Sequence, residues 1–120
     1  MEISVEFDGR RWRYSPDPAI VDRGTLISWK FQNTTLTTPA IRWTAYFVHG
    51  SPFRAQGIRF FTTTLPTLRQ QAGRIVAVHA GITVAVTAYD PGDYKYGVRA
   101  EDTMNRVGLG DDDPRLIVRA

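Results

Sequence analysis

The sequence contains no cysteine and no long apolar run in its 120 residues. Without a thiol the chain forms no disulfide, no iron–sulfur cluster, and no cysteine-ligated zinc or thiolate-bound copper site. No apolar run approaches the roughly 18 residues that span a bilayer. The acidic opening at Met1–Glu6 also lacks the apolar core of a secretory signal. These absences favour a cytoplasmic protein with no membrane partner.

Strong charge of one sign is also missing. Fifteen Lys and Arg against twelve Asp and Glu give a net charge of +3, and the basic residues are scattered among acidic ones. Nucleic-acid-binding proteins instead gather them on one stripe. The run Arg10–Tyr14 interleaves cations with aromatics, but on a strand the two kinds of side chain face opposite sides. We therefore expect no nucleic-acid partner.

Short runs of alternating apolar and polar residues make up most of the chain, which is typical of half-buried strands. The Asp8-Gly9 pair favours a tight hairpin turn after the first run. The runs lie at 2–7, 12–14, 25–32, 41–48, 58–64, 74–79, 82–89, 94–100 and 115–119. The sequence shows no repeat and no linker. It predicts one domain over residues 1–120, an all-β antiparallel Greek-key β-sandwich of seven to ten strands.

Three connections carry weaker expectations. Thr67 and Gln70 have capping-box spacing, and Gly73 is placed to end a helix of two turns at most. The Ala80-Gly81 pair predicts a turn between two strands. The polar segment Glu101–Pro114 predicts a loop before the last strand.

Large apolar side chains on one face of each run predict a core between two sheets. Burying each of them contributes about 1.5–3 kcal/mol, so this core does not require a disulfide. The expected members are Trp12, Trp29, Phe31, Trp43, Phe47, Tyr96 and Val98.

Three segments together resemble the cupredoxin family. The first runs from Trp12 to Pro16 and on through Ile20–Asn33, with an aromatic, a proline, a glycine turn and an apolar strand ending in Asn. The second, Asp90–Val98, is similar to the Pro-Gly-x-Tyr strand that leads into the family's copper loop, and Asp113–Val118 is similar to its final strand. The resemblance frames roughly residues 12–33 and 90–118 and implies a Greek-key sandwich.

The copper ligands of that family have no counterpart here. A blue-copper site takes one Cys, two His and usually a weak axial Met. The resemblance places the Cys near Val98, one His near Glu101 and the other in Thr34–Ala40, and none of these positions holds a ligand. Met104 lies downstream, but it has no equatorial partners. We therefore expect a copper-free domain with no cofactor, no metal and no electron transfer.

An immunoglobulin-like sandwich is the second interpretation. The Asp90-x-Gly92-x-Tyr94 pattern resembles the tyrosine corner of that fold, in which the phenol binds nearby backbone. Tyr96 would then replace the usual Cys, and Trp29 or Trp43 would be the core tryptophan. Both interpretations give a Greek-key β-sandwich.

Catalytic and metal-binding patterns are weak throughout. His49 and His79 are the only imidazoles, thirty residues apart on different elements, without the spacing of a metal site. Asp111–Asp113 lacks the Asp-x-Asp-x-Asp-Gly spacing of a calcium loop and is interpreted as a solvated turn. No Gly-x-Ser-x-Gly motif is present. No catalytic residue is expected, although an enzymatic role stays open.

These observations favour a non-catalytic, copper-free domain that serves in protein–protein interaction or as an accessory module. A protein partner or a second copy of the chain would bind through the end loops Asn33–Ala40 and Arg99–Pro114. The alternative is a small enzyme or ligand-binding protein with a pocket beneath the 99–113 loop. Its candidate residues are Arg99, Glu101, Asp102, Arg106 and His49. A deep pocket with converging polar groups would favour the alternative.

Overall fold

The structure is a computed structural model that describes residues 1–33, 40–54, 60–66, 68–77 and 82–120. The described residues form strands and turns and contain no helix, so none of them belongs to a membrane-spanning helix. The strands are β1 (Glu2–Phe7), β2 (Trp12–Ser15), β3 (Ala19–Asp22), β4 (Thr25–Asn33), β5 (Ala40–Tyr46), β6 (Phe60–Pro66), β7 (Leu68–Gln71), β8 (Arg74–Ala77), β9 (Ile82–Ala88), β10 (Gly92–Lys95), β11 (Gly97–Asp102), β12 (Val107–Asp112) and β13 (Arg115–Arg119).

In the part of the chain that the structure describes, the strands form four sheets with the orders β2-β1-β4-β9, β10-β13-β3, β12-β11-β5-β6 and β7-β8. Two pairs, β1 with β4 and β3 with β13, are parallel, and the others are antiparallel. The all-β sandwich is confirmed. The described residues contain thirteen strand segments where seven to ten strands were expected, because β3, β7 and β12 are additional and the run 94–100 is divided at Tyr96 into β10 and β11.

The core follows from the alternation of the longer strands. In β4, Ile27, Trp29 and Phe31 are fully buried, while the side chains between them face outward. The buried side chains also include Ile3, Val5, Phe7, Ile41, Trp43, Ala45, Phe47, Tyr96, Val98 and Leu116. Six of the seven expected core residues are therefore buried.

Trp12 differs from the expectation because it is only partly buried. Its ring stacks on Phe7, with 4.3 Å between ring centroids, and meets Trp43 edge to face at 6.2 Å. It covers the rim of the core at the edge strand β2.

The expected helix at Thr67–Gly73 is wrong. Leu68–Gln71 is a strand that pairs with β8, and the two-residue turn between them is Ala72-Gly73. Both turn residues have positive φ, 51° and 77°, a combination that reverses a hairpin and ends any helix. The expected turn at Ala80-Gly81 lies outside the described residues, and β9 pairs with β4.

The expected loop over Glu101–Pro114 is also wrong. β11 continues to Asp102, and β12 returns alongside it after the turn at 103–106. Gly108 and Gly110 conceal β12 in the sequence because glycine weakens an alternating pattern. Between them the pairing register shifts, which forms a bulge at Leu109. The end of the domain therefore carries a β-hairpin in place of an open loop.

Candidate functional site

Two of the positions where the sequence resemblance places copper ligands, Val98 and Glu101, hold side chains with structural roles. Val98 is fully buried in β11, between Ala45 of β5 and Asp112 of β12. Glu101 forms an ion pair with Arg42 of β5, with 2.5 Å between Oε2 and Nη2. Among the described residues no group of three or more His, Asp or Glu side chains is placed to hold a metal ion. This donor set does not fit copper, because no thiolate or imidazole stands at either position.

Asp102 holds the turn of the β11–β12 hairpin. Its carboxylate is buried and accepts hydrogen bonds from the backbone N–H of Met104 at 2.9 Å and of Asn105 at 3.2 Å, and from the Asn105 side-chain amide at 3.0 Å. These donors, led by the Asn105 side chain, lower the pKa of the carboxyl below its usual range. A carboxylate fixed in this way stabilises the turn and is poorly suited to take up a proton as a catalytic base.

The other sequence-predicted candidates do not converge on one point. Arg99 forms an ion pair with Asp111, at 2.8 Å, on the outer face of the sheet. Arg106 is exposed at the hairpin turn with a φ of 54°. A cleft of about 410 Å³ beside the hairpin includes Arg99 and Glu101 in its lining. His49 lines a different cleft, and His79 lies outside the described residues.

The tip of the β11–β12 hairpin exposes apolar surface. Met104 is 71% exposed and Val107 is 52% exposed, and they flank the turn. Thr103 anchors the tip to the first residue of β5, because its N–H and its hydroxyl approach the Ala40 carbonyl oxygen at 3.5 and 3.4 Å. We call Met104 and Val107 the hairpin-tip patch. Of the other expected end loop, residues 34–39 lie outside the described residues.

A cleft of about 590 Å³ lies where the chain passes from β10 to β11. Its lining includes Tyr46 at the end of β5, His49 in the following turn, Tyr94 and Lys95 of β10, and Asp113 after β12. We call it the tyrosine cleft. Sequence reasoning placed His49 among the candidate site residues but did not connect it with the other residues of the cleft, because the cleft draws on separate segments that no local motif joins.

Tyr46 lies flat across a glycine of the neighbouring strand. It pairs with Gly97 of β11, and a Cβ at Gly97 would lie only 1.9 Å from Cζ of the Tyr46 ring. The Arg99 guanidinium lies 5.8 Å from the ring centroid. Since only glycine leaves room for the ring, this pair fixes one wall of the cleft.

Tyr94 forms the tyrosine corner that the sequence pattern predicted. Its hydroxyl donates to the backbone carbonyl of Asp90 at 2.8 Å, and its ring packs against Gly92, where a Cβ would lie 3.2 Å away. Burial raises the pKa of the Tyr94 phenol above its ordinary value. This contact holds the Tyr94 ring in place as part of the lining of the cleft.

Comparison with known proteins gives matches among solved structures alone. No family model and no curated protein matches the chain. A mutant of amicyanin with Cu(I) is 14% identical over 98% of this chain and 82% of that chain, with a TM-score of 0.46. The blue copper protein auracyanin A, from Chloroflexus aurantiacus, is 13% identical over 99% of this chain and 98% of that chain, with a TM-score of 0.49.

A multi-copper oxidase from Pseudomonas thermotolerans is 10% identical over 99% of this chain and 29% of that chain, with a TM-score of 0.32. Amicyanin and auracyanin are cupredoxins, the family that the sequence motifs resemble. Their copper chemistry is a property of those proteins, and the β-sandwich of this chain is described by its own strand order.

Proposed function

We propose that this domain is a copper-free, non-catalytic β-sandwich that binds a protein partner or a second copy of itself through the hairpin-tip patch. The observation that carries the proposal is the β11–β12 hairpin, whose turn exposes Met104 and Val107 at the place where the sequence resemblance puts a ligand-bearing loop. Within this hairpin Val98 is buried, Glu101 forms an ion pair with Arg42, and the Asp102 carboxylate accepts hydrogen bonds that hold the turn.

The exposed side chains at the tip support binding to an apolar surface. Met104 is the most exposed large apolar side chain of the described residues, and methionine adapts readily to partner surfaces because its side chain is unbranched and polarisable. Asp102 holds the turn of the hairpin, and Thr103 attaches the turn to the first residue of β5. A partner would therefore meet a preorganised tip, which lowers the entropy lost on binding.

The experiment compares the full chain with a Met104→Ser, Val107→Thr double variant. Self-association is measured by sedimentation velocity over a concentration series, and partner binding by affinity capture from the native host followed by titration of the captured protein. Leu26→Ser is the matched control, because Leu26 is 55% exposed but lies on β4, in another sheet.

We expect a complex with the wild type and with Leu26→Ser, and its loss in the double variant. A strictly monomeric wild type without a specific partner would contradict the proposal. A complex that the double variant keeps at full affinity would contradict it as well, since the interface would then lie elsewhere.

A further inference from the structure

The tyrosine cleft is built from parts that the hairpin-tip patch does not use. Its walls come from the end of β5, the turn containing His49, and β10, and Asp113 closes it after β12. The volume of about 590 Å³ lies within the range of small-molecule sites. Its chemistry can therefore be judged separately from any protein interface.

The walls of the cleft are held in place before any ligand arrives. Tyr46 rests on Gly97, and the hydroxyl of Tyr94 is bound to the Asp90 carbonyl at 2.8 Å. Asp93, beside Tyr94, accepts hydrogen bonds from Arg115 of β13. Fixed aromatic and polar groups of this kind reduce the ordering cost of binding.

The charges in the cleft are balanced. Asp93 is paired with Arg115, and Asp113 is paired with Lys95 at 3.0 Å. Each acid therefore has its own cation, so neither an anion nor a cation finds an excess of opposite charge. The two pairs still present donors and acceptors side by side, which suits a ligand whose groups both donate and accept hydrogen bonds.

We propose that the tyrosine cleft binds a neutral saccharide. Sugar hydroxyls act as donors and acceptors together, which matches the Lys95–Asp113 pair and the His49 imidazole. The C–H faces of a pyranose ring are apolar and pack against aromatic walls such as Tyr46 and Tyr94. A peptide that binds by strand pairing would instead need an open strand edge, whereas this cleft is lined by aromatic and polar side chains.

The test uses the full chain and four soluble probes, the hexasaccharides of the cellulose, starch, xylan and laminarin series. Binding is measured by saturation-transfer NMR and by calorimetry. His49→Ala is the first variant, because His49 is an exposed turn residue whose loss leaves the core intact. Tyr46→Ala is the second, and Tyr89→Ala is the matched control, since Tyr89 is 40% exposed outside the cleft.

We expect at least one hexasaccharide to bind with a dissociation constant in the millimolar range or tighter. Tyr46→Ala should weaken that binding about tenfold, His49→Ala should weaken it several-fold, and Tyr89→Ala should leave it unchanged. Absence of saturation transfer with all four probes at millimolar concentration would overturn the proposal. Binding that survives both Tyr46→Ala and His49→Ala would also overturn it. The Met104→Ser, Val107→Thr double variant should bind saccharide normally, so the two proposals can fail independently.

Discussion

Trp29 shows at the residue scale how the core is specified. Its side chain is fully buried in β4, and its indole N–H donates to the Tyr96 hydroxyl at 3.1 Å. Its ring meets Phe47 and Phe53 edge to face, with centroids 6.1 and 6.2 Å apart. One side chain therefore combines apolar burial, ring packing and a satisfied polar group, so that neither buried polar atom is left without a partner.

Replacing Trp29 with Ala should lower the free energy of unfolding by about 3–5 kcal/mol, because the change removes a fully buried tryptophan side chain and leaves a cavity. Denaturant unfolding monitored by circular dichroism measures the change. Trp29→Phe separates the two contributions: it keeps most of the apolar volume, and the Tyr96 hydroxyl loses its donor. An unfolding midpoint for Trp29→Ala equal to that of the wild type would show that Trp29 does not belong to the core.

At the scale of elements, β12 packs against the hairpin formed by β1 and β2. Its Gly110 faces Phe7 and Trp12, and a Cβ there would lie 3.0 Å from Cζ of Phe7 and 3.4 Å from Nε1 of Trp12. The Tyr14 hydroxyl of β2 donates to Asp112 of β12 at 2.8 Å. Edge strands of two different sheets are thereby joined by one close approach and one hydrogen bond.

Gly110→Ala should destabilise the protein by about 1–3 kcal/mol, because the added methyl overpacks the contact with buried Phe7. Gly108→Ala is the matched control in the same strand: nothing lies within 4 Å of a Cβ at Gly108, so its effect should stay within about 0.5 kcal/mol. Thermal and denaturant unfolding of both variants provides the measurement. Equal destabilisation by the two substitutions would mean that loss of glycine flexibility matters more than the close approach.

Alternation of apolar and polar residues made most strands predictable. Its absence explains the two wrong predictions, the helix at Thr67–Gly73 and the loop over Glu101–Pro114. Strands such as β4 and β5 separate buried from exposed positions, so their faces can be read directly from the sequence. In β12 two glycines and consecutive aspartates erase that signal. The turn Ala72-Gly73 requires a positive φ at an alanine. Alanine rarely adopts this conformation, so the sequence gives no signal for the turn.

The candidate site was less predictable than the fold. Arg99 and Glu101 lie on the same face of β11 and line one cleft, whereas Asp102 points to the opposite face and Arg106 lies in the turn. The tyrosine cleft depends on Tyr46 meeting Gly97 across two strands. Contacts of this kind arise from strand pairing, which a local reading of one sequence does not reveal.

On the scale of the whole molecule, three tyrosine phenols lie in environments that exist only in the folded protein. Tyr14 contacts β12, Tyr94 forms the corner at the start of β10, and Tyr96 lies in the core where the chain crosses between sheets. Burial is the main cause that raises the pKa of each, to about 12 for Tyr96, and the nearby Asp112 carboxylate adds to the effect on Tyr14. Folding therefore keeps three protons on groups that ionise more readily in the unfolded chain.

This difference predicts unfolding in alkali. A phenol whose pKa is raised by folding stabilises the folded state fully below its ordinary value of 10.0, and that contribution is lost as pH rises through the raised pKa. Tyrosinate absorbance and circular dichroism, followed together against pH, should show Tyr14 and Tyr96 ionising as the strands unfold. Tyr96→Phe is the control, since removing that phenol should decrease the part of the absorbance change that coincides with unfolding. Ionisation of all five tyrosines near pH 10 with the strand signal intact would show that these phenols are not buried in the folded protein.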